Sequence, residues 1–230
     1  MRKSRKRKGA TLKKAKRVLL TALAVWLAVV LLYRFVAPPL TPLMLIRRVQ
    51  AAWDNRPTSR SWGWVPLRAL PAYVPQAVVT AEDARFIEHW GVDPGAVFDA
   101  LNSSSDSSRV RGASTITMQT VKNLFLWPGR SYIRKIFEWV MSPIAGTLWG
   151  KRRTLELYIN IIEWGEGIYG LQSAARHYFK VNASQLSLNQ AAALAAILPN
   201  PRKLSPIHMV RSTKRRYERI LRESSSAKLP

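Results

Sequence analysis

Residues 81–91, AEDARFIEHWG, place two adjacent acidic side chains ahead of aromatic and histidine positions that follow helical spacing. On a helix, Glu82, Phe86 and His89 would lie at i, i+4 and i+7 and share one face. Asp83 would then point elsewhere, towards a structural partner. A carboxylate on a half-apolar face is suited to accepting a proton, which makes Glu82 a candidate general base. For these residues alone, a solvated surface glutamate is the simpler interpretation.

Residues 112–119, GASTITMQ, carry the signals of a helix start. Ser114 or Thr115 can cap the helix, and Lys122 lies one turn beyond Gln119. Unpaired N–H groups and the positive end of the helix dipole favour an anion at such a position. An ordinary N-cap uses the same groups, so capping and anion binding are both compatible with the stretch.

Two later segments add paired polar side chains at helical spacing. Arg134 and Glu138 lie at i, i+4 with Lys135 beside them, an arrangement that is most simply a helix-stabilising ion pair. Glu156 and Asn160 are also four residues apart, and burying them would require hydrogen-bond partners.

The wider pattern predicts a mainly α fold, since no alternation of strand period is sustained anywhere. Pro75 suits the first turn of a helix that Gly91 would end, and Pro143 is expected to disturb a later helix. Ser187 can cap a further helix, and a basic helix is expected near residues 211–223.

The N-terminus has the composition of a membrane anchor. Residues 1–17 hold ten Lys/Arg and no acidic residue, and residues 18–37 follow with a single charge, Arg34. About 20 apolar residues suffice for a helix to cross the bilayer. A cleaved signal peptide is the alternative, but no small-x-small cleavage site follows the apolar run. The sequence predicts an uncleaved anchor with its N-terminus in the cytoplasm and the rest outside.

The composition limits the kinds of partner and site that the chain can have. The net charge is +24, and the acidic residues are too few to balance the Lys/Arg beyond the tail, so an anionic partner is expected. The chain has no cysteine, which excludes disulfides and thiol chemistry. With only three histidines, a histidine-rich metal site is not expected.

Five motifs in this order make the chain resemble the bacterial peptidoglycan glycosyltransferases in their monofunctional, single-domain form. The motifs are EDxxFxxHxG at 82–91, GASTITxQ at 112–119, RKxxE at 134–138, KRxxLExYxN at 151–160 and GxxGxxxAAxxYF at 167–179. The resemblance covers residues 65–205 and the anchor. The family usually has glycine and glutamine where Ala113 and Met118 stand, so the polar network around the donor is expected to differ here.

The resemblance implies a lysozyme-like fold that polymerises lipid II into β-1,4 glycan chains. Glu82 would take the proton from the acceptor's 4-hydroxyl, whose oxygen attacks the donor's anomeric carbon with inversion and expels undecaprenyl diphosphate. Glu138 would be the second essential carboxylate. The positions matching diphosphate and sugar contacts are Ser114, Thr117, Gln119, Lys122, Arg130, Arg134 and Lys135. Supporting positions are Asp83, Phe86, His89, Glu156 and Asn160.

The expected organisation follows from the anchor and the resemblance. It is a cytoplasmic tail (1–17), an anchor (18–37), a linker (38–64), a glycosyltransferase domain (65–205) and a basic C-terminal helix (206–230). The expected location is the bacterial inner membrane, with the catalytic domain outside the cytoplasm. Expected partners are lipid II, the growing glycan chain, the membrane and cell-wall synthesis proteins, but not nucleic acid. No cofactor is firmly implied; the family's response to divalent cations leaves such an ion as a candidate.

Two other functions compete. A lysozyme-like enzyme that cleaves glycans would not need the cations at Lys122, Arg130, Arg134 and Lys135, because it has no diphosphate to hold. A membrane-tethered binding protein for nucleic acid would fit the net charge, but membrane topology accounts for the basic tail, and no nucleic-acid motif follows it.

Overall fold

The computed structural model describes residues 2–55, 62–96, 98, 114–129 and 131–230, with side chains from Lys13 onward. It divides into two units, residues 1–36 and 37–230. Helices account for most of the described residues, which confirms the predicted mainly α fold.

The first unit is a single helix, α1, Arg2–Phe35. Its stretch Lys13–Phe35 is long and apolar enough to cross a membrane, and most of its apolar side chains are exposed. An exposed apolar surface of this length fits a membrane anchor.

The second unit contains short helices around one long helix and a small hairpin. The helices are α2 (Pro42–Trp53), α3 (Tyr73–Glu82), α4 (Ile116–Phe125), α5 (Tyr132–Ile161), α6 (Leu171–Phe179), α7 (Leu188–Ile197) and α8 (Arg211–Glu223). Single 3₁₀ turns occur at Leu67–Ala69, Ala183–Gln185 and Ser224–Ser226. Strands β1 (Glu163–Gly165) and β2 (Ile168–Tyr169) pair antiparallel, with Glu163 opposite Tyr169.

Side-chain caps begin several of these helices where the sequence predicts them. Thr115 accepts a hydrogen bond from the Met118 N–H at 3.1 Å, and Ser187 accepts one from the Gln190 N–H at 3.3 Å. Each cap satisfies a backbone donor that the first helical turn leaves unpaired. The predicted starts of α4 and α7 are therefore confirmed, and α8 spans the predicted range.

Helix α5 continues through Pro143 and changes direction at Gly150 instead. Gly150 has φ 72°, a backbone conformation that glycine adopts without steric cost. The predicted disturbance is thus displaced by two turns, and a second helical segment starts near Lys151.

The helix that contains Glu82 is shorter than predicted. Helix α3 ends at Glu82, because Asp83 has the non-helical angles φ −158° and ψ 72°. Phe86 and His89 are buried in the turns that follow, so the predicted helix face shared with Glu82 does not exist. Gly91 does not end a helix; it has φ 122°, and a Cβ there would lie 2.6 Å from the Ser142 carbonyl oxygen.

Packing within the second unit brings together helices that are far apart in the sequence. Helix α4 lies along α5, while α3 packs against both α7 and α8. The alanine-rich helix α7 is buried from Ala191 to Ile197, and its small side chains allow α3 and α8 to pack closely against it. Residues near 80 and residues near 216 therefore meet on one side of the molecule.

Candidate active site

A cavity of about 1050 Å³ opens between the end of α3, helix α4, the start of α5 and helix α8. The polar and charged residues around it are Arg47, Glu82, Ser114, Gln119, Lys122, Asn123, Arg134, Tyr158, Glu163, Asn200, Arg202, Ser212, Arg216 and Arg219. Its lining is dominated by positive charge.

Glu82 is the last residue of α3, and its side chain lies in the wall of this cavity with 11% of its surface exposed. Gln119 donates to one carboxylate oxygen at 2.8 Å, and Arg216 donates to the other at 2.7 Å. The Tyr158 hydroxyl donates to the Gln119 carbonyl oxygen at 3.3 Å, which orients the amide so that its nitrogen faces Glu82. The carboxylate is held from three helices while it still borders open space.

Asp83 faces away from the cavity, as predicted, and finds structural partners. Its carboxylate accepts a hydrogen bond from the Ile116 N–H at 2.9 Å and lies 2.9 Å from His89 Nε2. The positive N-terminus of α4 therefore does bind an anion, but that anion is the protein's own Asp83.

Lys151 fixes the turns between Asp83 and Gly91. Its ammonium donates to the backbone carbonyls of Phe86 and His89 and lies 4.5 Å from the centre of the Phe86 ring. Burial lowers the pKa of Lys151, and the Asp83 charge opposes that shift. Asp83, Phe86 and His89 thus support the segment that follows Glu82.

Glu138 is buried beside the cavity and is paired with two cations. Arg134 forms an ion pair with one of its oxygens, and Lys135 lies 3.2 Å from the other. The Lys135 ammonium also donates to the Ser114 hydroxyl at 2.6 Å. Glu138 therefore organises Arg134, Lys135 and Ser114 into one network at the start of α5.

Lys122 is a cation of the cavity wall that pairs with none of the described residues. Its side chain is half-buried in the cavity wall, and within the described part of the chain its amine makes no hydrogen bond or ion pair. Burial lowers the pKa of Lys122, while the charges of Glu138 and Glu82 act in the opposite direction. Together with Arg134 and Lys135, it leaves an excess of positive charge that an anionic ligand would neutralise.

Three further residues expected at the site, Thr117, Glu156 and Asn160, also lie outside the cavity lining. Thr117 is buried within α4 and faces Gly146 of α5, so the geometry gives no support for a substrate contact by its side chain. Glu156 accepts from the Leu67 N–H at 2.7 Å, and Asn160 exchanges hydrogen bonds with the Val65 backbone. These two residues hold the segment before α3 in place, which agrees with a supporting role.

Two other expectations concern α4 and the turn after it. Met118 is buried in the core, so this departure from the family pattern lies outside the polar lining of the cavity. Arg130 lies outside the described residues, and its predicted contact with diphosphate stays a prediction.

The far end of the cavity holds an acidic residue between two arginines. Glu163 has Arg47 Nε and Arg202 Nε each at 3.9 Å, and it accepts a hydrogen bond from the Gly167 N–H at 3.1 Å. Burial raises the pKa of Glu163, and the hydrogen bond and both arginines oppose that rise. No motif in the sequence indicated this cluster.

Sequence patterns also missed Arg216. The residue lies on α8 four positions before the buried Ile220, so it occupies the inner face of an otherwise basic helix. A cation on the apolar face of an amphipathic helix is the signal that could have identified it.

Among the described residues, no group of three or more His, Asp or Glu side chains is placed to hold a metal ion. The role of a divalent cation stays a prediction.

Comparison with known proteins gives a consistent result. Residues 49–225 match the sequence model of a family described as Transglycosylase. A biosynthetic peptidoglycan transglycosylase of Marinomonas sp. (strain MWYL1) is 48% identical over 184 residues, which cover 80% of this chain and 78% of the relative. Proteins of the same name from Pseudomonas syringae pv. syringae (strain B728a) and Caulobacter vibrioides are 46% and 44% identical over 78% and 83% of this chain, and 76% and 81% of theirs. The matched residues include α3, α4, α5 and α8.

Proposed function

This chain belongs to the transglycosylase family, and from that premise we propose that it is a peptidoglycan glycosyltransferase that polymerises lipid II. The observation that carries the detailed proposal is that one cavity holds both the Glu82 carboxylate and the ammonium of Lys122, which no described residue pairs. A proton acceptor and a cationic pocket are the two elements that displacement of a lipid diphosphate needs.

In the proposed reaction Glu82 accepts the proton from the 4-hydroxyl of the acceptor GlcNAc. The oxygen attacks C1 of the donor MurNAc, a β-1,4 bond forms with inversion, and the bond to the diphosphate oxygen breaks. Because a diphosphate is a good leaving group, this displacement requires one base and charge stabilisation, but no second carboxyl acting as an acid. Two hydrogen bonds hold Glu82 at the cavity wall, which suits a group that must meet a hydroxyl in a fixed orientation.

The leaving diphosphate would lie against Lys122, Arg134 and Lys135. Lys122 has no competing protein partner among the described residues, so its charge is available to a ligand. Arginine can bind phosphate through two hydrogen bonds, and fixed cations stabilise negative charge as it develops on the leaving oxygen. Glu138 would hold Arg134 and Lys135 in place, and would not take part in proton transfer.

The substrate is lipid-linked, and the surface near the site fits a membrane location. The first half of α5 exposes the apolar side chains Tyr132, Ile133, Ile136 and Val140. Apolar surface of this kind is stabilised by lipid. With the anchor in the inner membrane and the basic tail in the cytoplasm, the cavity would lie outside the cytoplasm, where glycan chains are assembled. Association with other cell-wall synthesis proteins stays a prediction.

The direct test is incubation of the full-length, detergent-solubilised protein with labelled lipid II, followed by sizing of the products. We expect a ladder of glycan polymer that lysozyme degrades, and no polymer from the Glu82→Gln variant. The same protein should leave purified glycan strands intact. Cleavage of those strands without polymer formation would instead support the glycan-cleaving alternative.

A further inference from the structure

We infer that Arg216 is a positioning residue for the transfer reaction, holding both the end of α3 and the Glu82 carboxylate in the geometry that the reaction requires. The inference rests on the proposed function, since it assumes that Glu82 is the base. It assigns a role to helix α8, which lies beyond the sequence motifs and outside the domain predicted from them.

The contact joins residues that are far apart in the chain. Arg216 Nη2 donates to the Ala81 carbonyl oxygen at 2.7 Å and to Glu82 Oε1 at 2.7 Å. Ala81 is in the last turn of α3, where carbonyl groups lack helical partners and the helix dipole is negative. One guanidinium therefore fixes the backbone just before Glu82 and also the direction of its side chain.

The second oxygen of Glu82 is fixed independently by Gln119. With one partner on each oxygen, the plane of the carboxylate is defined from two sides, α4 and α8. Removing Arg216 leaves a single hydrogen bond, about which the carboxylate can rotate. Misplacement of a reacting group by about 1 Å can reduce a rate by roughly 100-fold.

The partial burial of the Arg216 side chain argues against a purely structural contact. Its Nε is buried and has no hydrogen-bond partner among the described residues, and burial lowers the pKa of Arg216 while Glu82 opposes the shift. A buried charge is a weak means of stabilising a fold, because desolvation offsets most of the attraction. Helix α8 is already attached to α3 and α7 through packing that includes the buried Ile220.

Action through Glu82 has a kinetic consequence that separates it from substrate binding. The Arg216 nitrogen that faces Glu82 is occupied by its two protein acceptors. Loss of the Arg216 side chain should therefore reduce kcat and leave KM for lipid II nearly unchanged. A residue that binds the substrate would instead change KM.

The experiment compares Arg216→Ala, Arg216→Lys and a control, Arg215→Ala, in the full-length, detergent-solubilised protein, with rates measured from labelled lipid II. Arg215 is the neighbouring exposed residue on the same helix. For Arg216→Ala, assayed well below its thermal midpoint so that the variant is folded, we expect kcat to fall roughly 100-fold, and for Arg215→Ala a change of about twofold or less. Added guanidinium chloride should restore at least about a tenth of the lost rate, and sodium chloride at the same concentration should not, because only a planar donor can refill the vacated site.

The Lys variant keeps the test decisive if the Ala variant fails to fold. Lysine retains the charge but is shorter and lacks the planar fork, so the kcat of Arg216→Lys should lie between that of Arg216→Ala and that of Arg215→Ala. Wild-type kcat in either Arg216 variant would overturn the inference, as would a loss that appears only in KM or a lost rate that guanidinium does not restore.

A parallel measurement on Glu82→Gln separates the two proposals. If Glu82→Gln still polymerises lipid II at the wild-type rate, the assignment of the base fails. If Glu82→Gln is inactive and Arg216→Ala is normal, only the role of Arg216 fails.

Discussion

Gln119 donates to Glu82 over 2.8 Å across a gap of 37 residues in the chain, and this contact joins helices α3 and α4 at the cavity wall. Since Tyr158 orients the Gln119 amide, the position of the candidate base depends on α5 as well. A side chain positioned from several helices has little conformational entropy left to lose when substrate binds.

The first prediction concerns the base itself. Glu82→Gln keeps the shape and the hydrogen bond to Arg216 but removes the ability to accept a proton, so we expect polymerisation of lipid II to fall by at least roughly 100-fold. Circular dichroism and the thermal midpoint should match the wild type. Glu88→Gln, an exposed position six residues away, is the control and should retain normal activity. Wild-type polymerisation by Glu82→Gln would contradict the assignment.

The second prediction uses the pH dependence of Lys122. Because burial lowers its pKa, Lys122 loses its positive charge at a lower pH than an exposed lysine. KM for lipid II should therefore rise on the alkaline side as the cation is lost. Lys122→Arg retains its charge at those pH values, so this alkaline rise should disappear.

The controls for Lys122 separate binding from folding. Lys122→Ala should raise KM at every pH and remove its dependence on this group, with a smaller effect on the thermal midpoint. Lys214→Ala, an exposed lysine on α8, should leave KM unchanged. Equal losses of stability and activity in Lys122→Ala would show that the lysine serves the fold and not the diphosphate.

The sequence predicted helices well where the relevant contacts are local. The caps at Thr115 and Ser187 act over three residues, and the limits of α8 follow from its spacing of apolar positions. The prediction failed after Glu82, where helical spacing continues but the helix does not. Asp83 leaves the helix because its carboxylate is satisfied by the Ile116 N–H, 33 residues away.

The cavity was harder to predict than the helices that surround it. Glu82 could be found because it lies in a recognisable motif, and Lys122 because it lies one helical turn beyond another. Arg216, by contrast, pairs with Glu82 across 134 residues. Thr117 lies in a polar run, but its position on α4 turns it towards α5. Helical spacing does not define which face meets the cavity until the packing of neighbouring helices is known.

The third prediction addresses Glu163 at the far end of the cavity. Because burial in the folded state raises the pKa of Glu163 above its ordinary value, folding favours the protonated form. The stability that this group contributes is fully present below its unfolded pKa and is lost as pH rises through the folded pKa. Glu163→Gln imitates the protonated form, so its thermal midpoint at pH 7 should exceed that of the wild type. Each kcal/mol gained in the free energy of unfolding should raise the midpoint by roughly 2–4 °C.

Thermal unfolding of two variants from pH 4 to pH 8 tests whether burial raises the pKa of Glu163 in this way. The difference between Glu163→Gln and the wild type should shrink towards acidic pH, where the wild-type side chain is protonated as well. Glu166→Gln, an exposed partner of Arg202, should differ little from the wild type at any pH. A lower midpoint for Glu163→Gln at pH 7 would mean that attraction to Arg47 and Arg202 outweighs the cost of burial.

The fourth prediction separates backbone strain from steric contact at two glycines. Gly91 and Gly129 both have positive φ, at 122° and 106°, so alanine is strained at either position. At Gly129 a Cβ would meet no atom of the described residues within 4 Å, and we expect Gly129→Ala to cost about 1–2 kcal/mol. At Gly91 the Cβ would also lie 2.6 Å from the Ser142 carbonyl oxygen, so the turn between Asp83 and α4 must move.

Denaturant unfolding should therefore show a loss of stability for Gly91→Ala that exceeds the loss for Gly129→Ala by at least about 1 kcal/mol. Because the displaced turn follows Glu82 in the chain, Gly91→Ala should lower kcat as well. Equal unfolding free energies for the two variants would show that the contact with Ser142 relaxes freely and does not fix the turn.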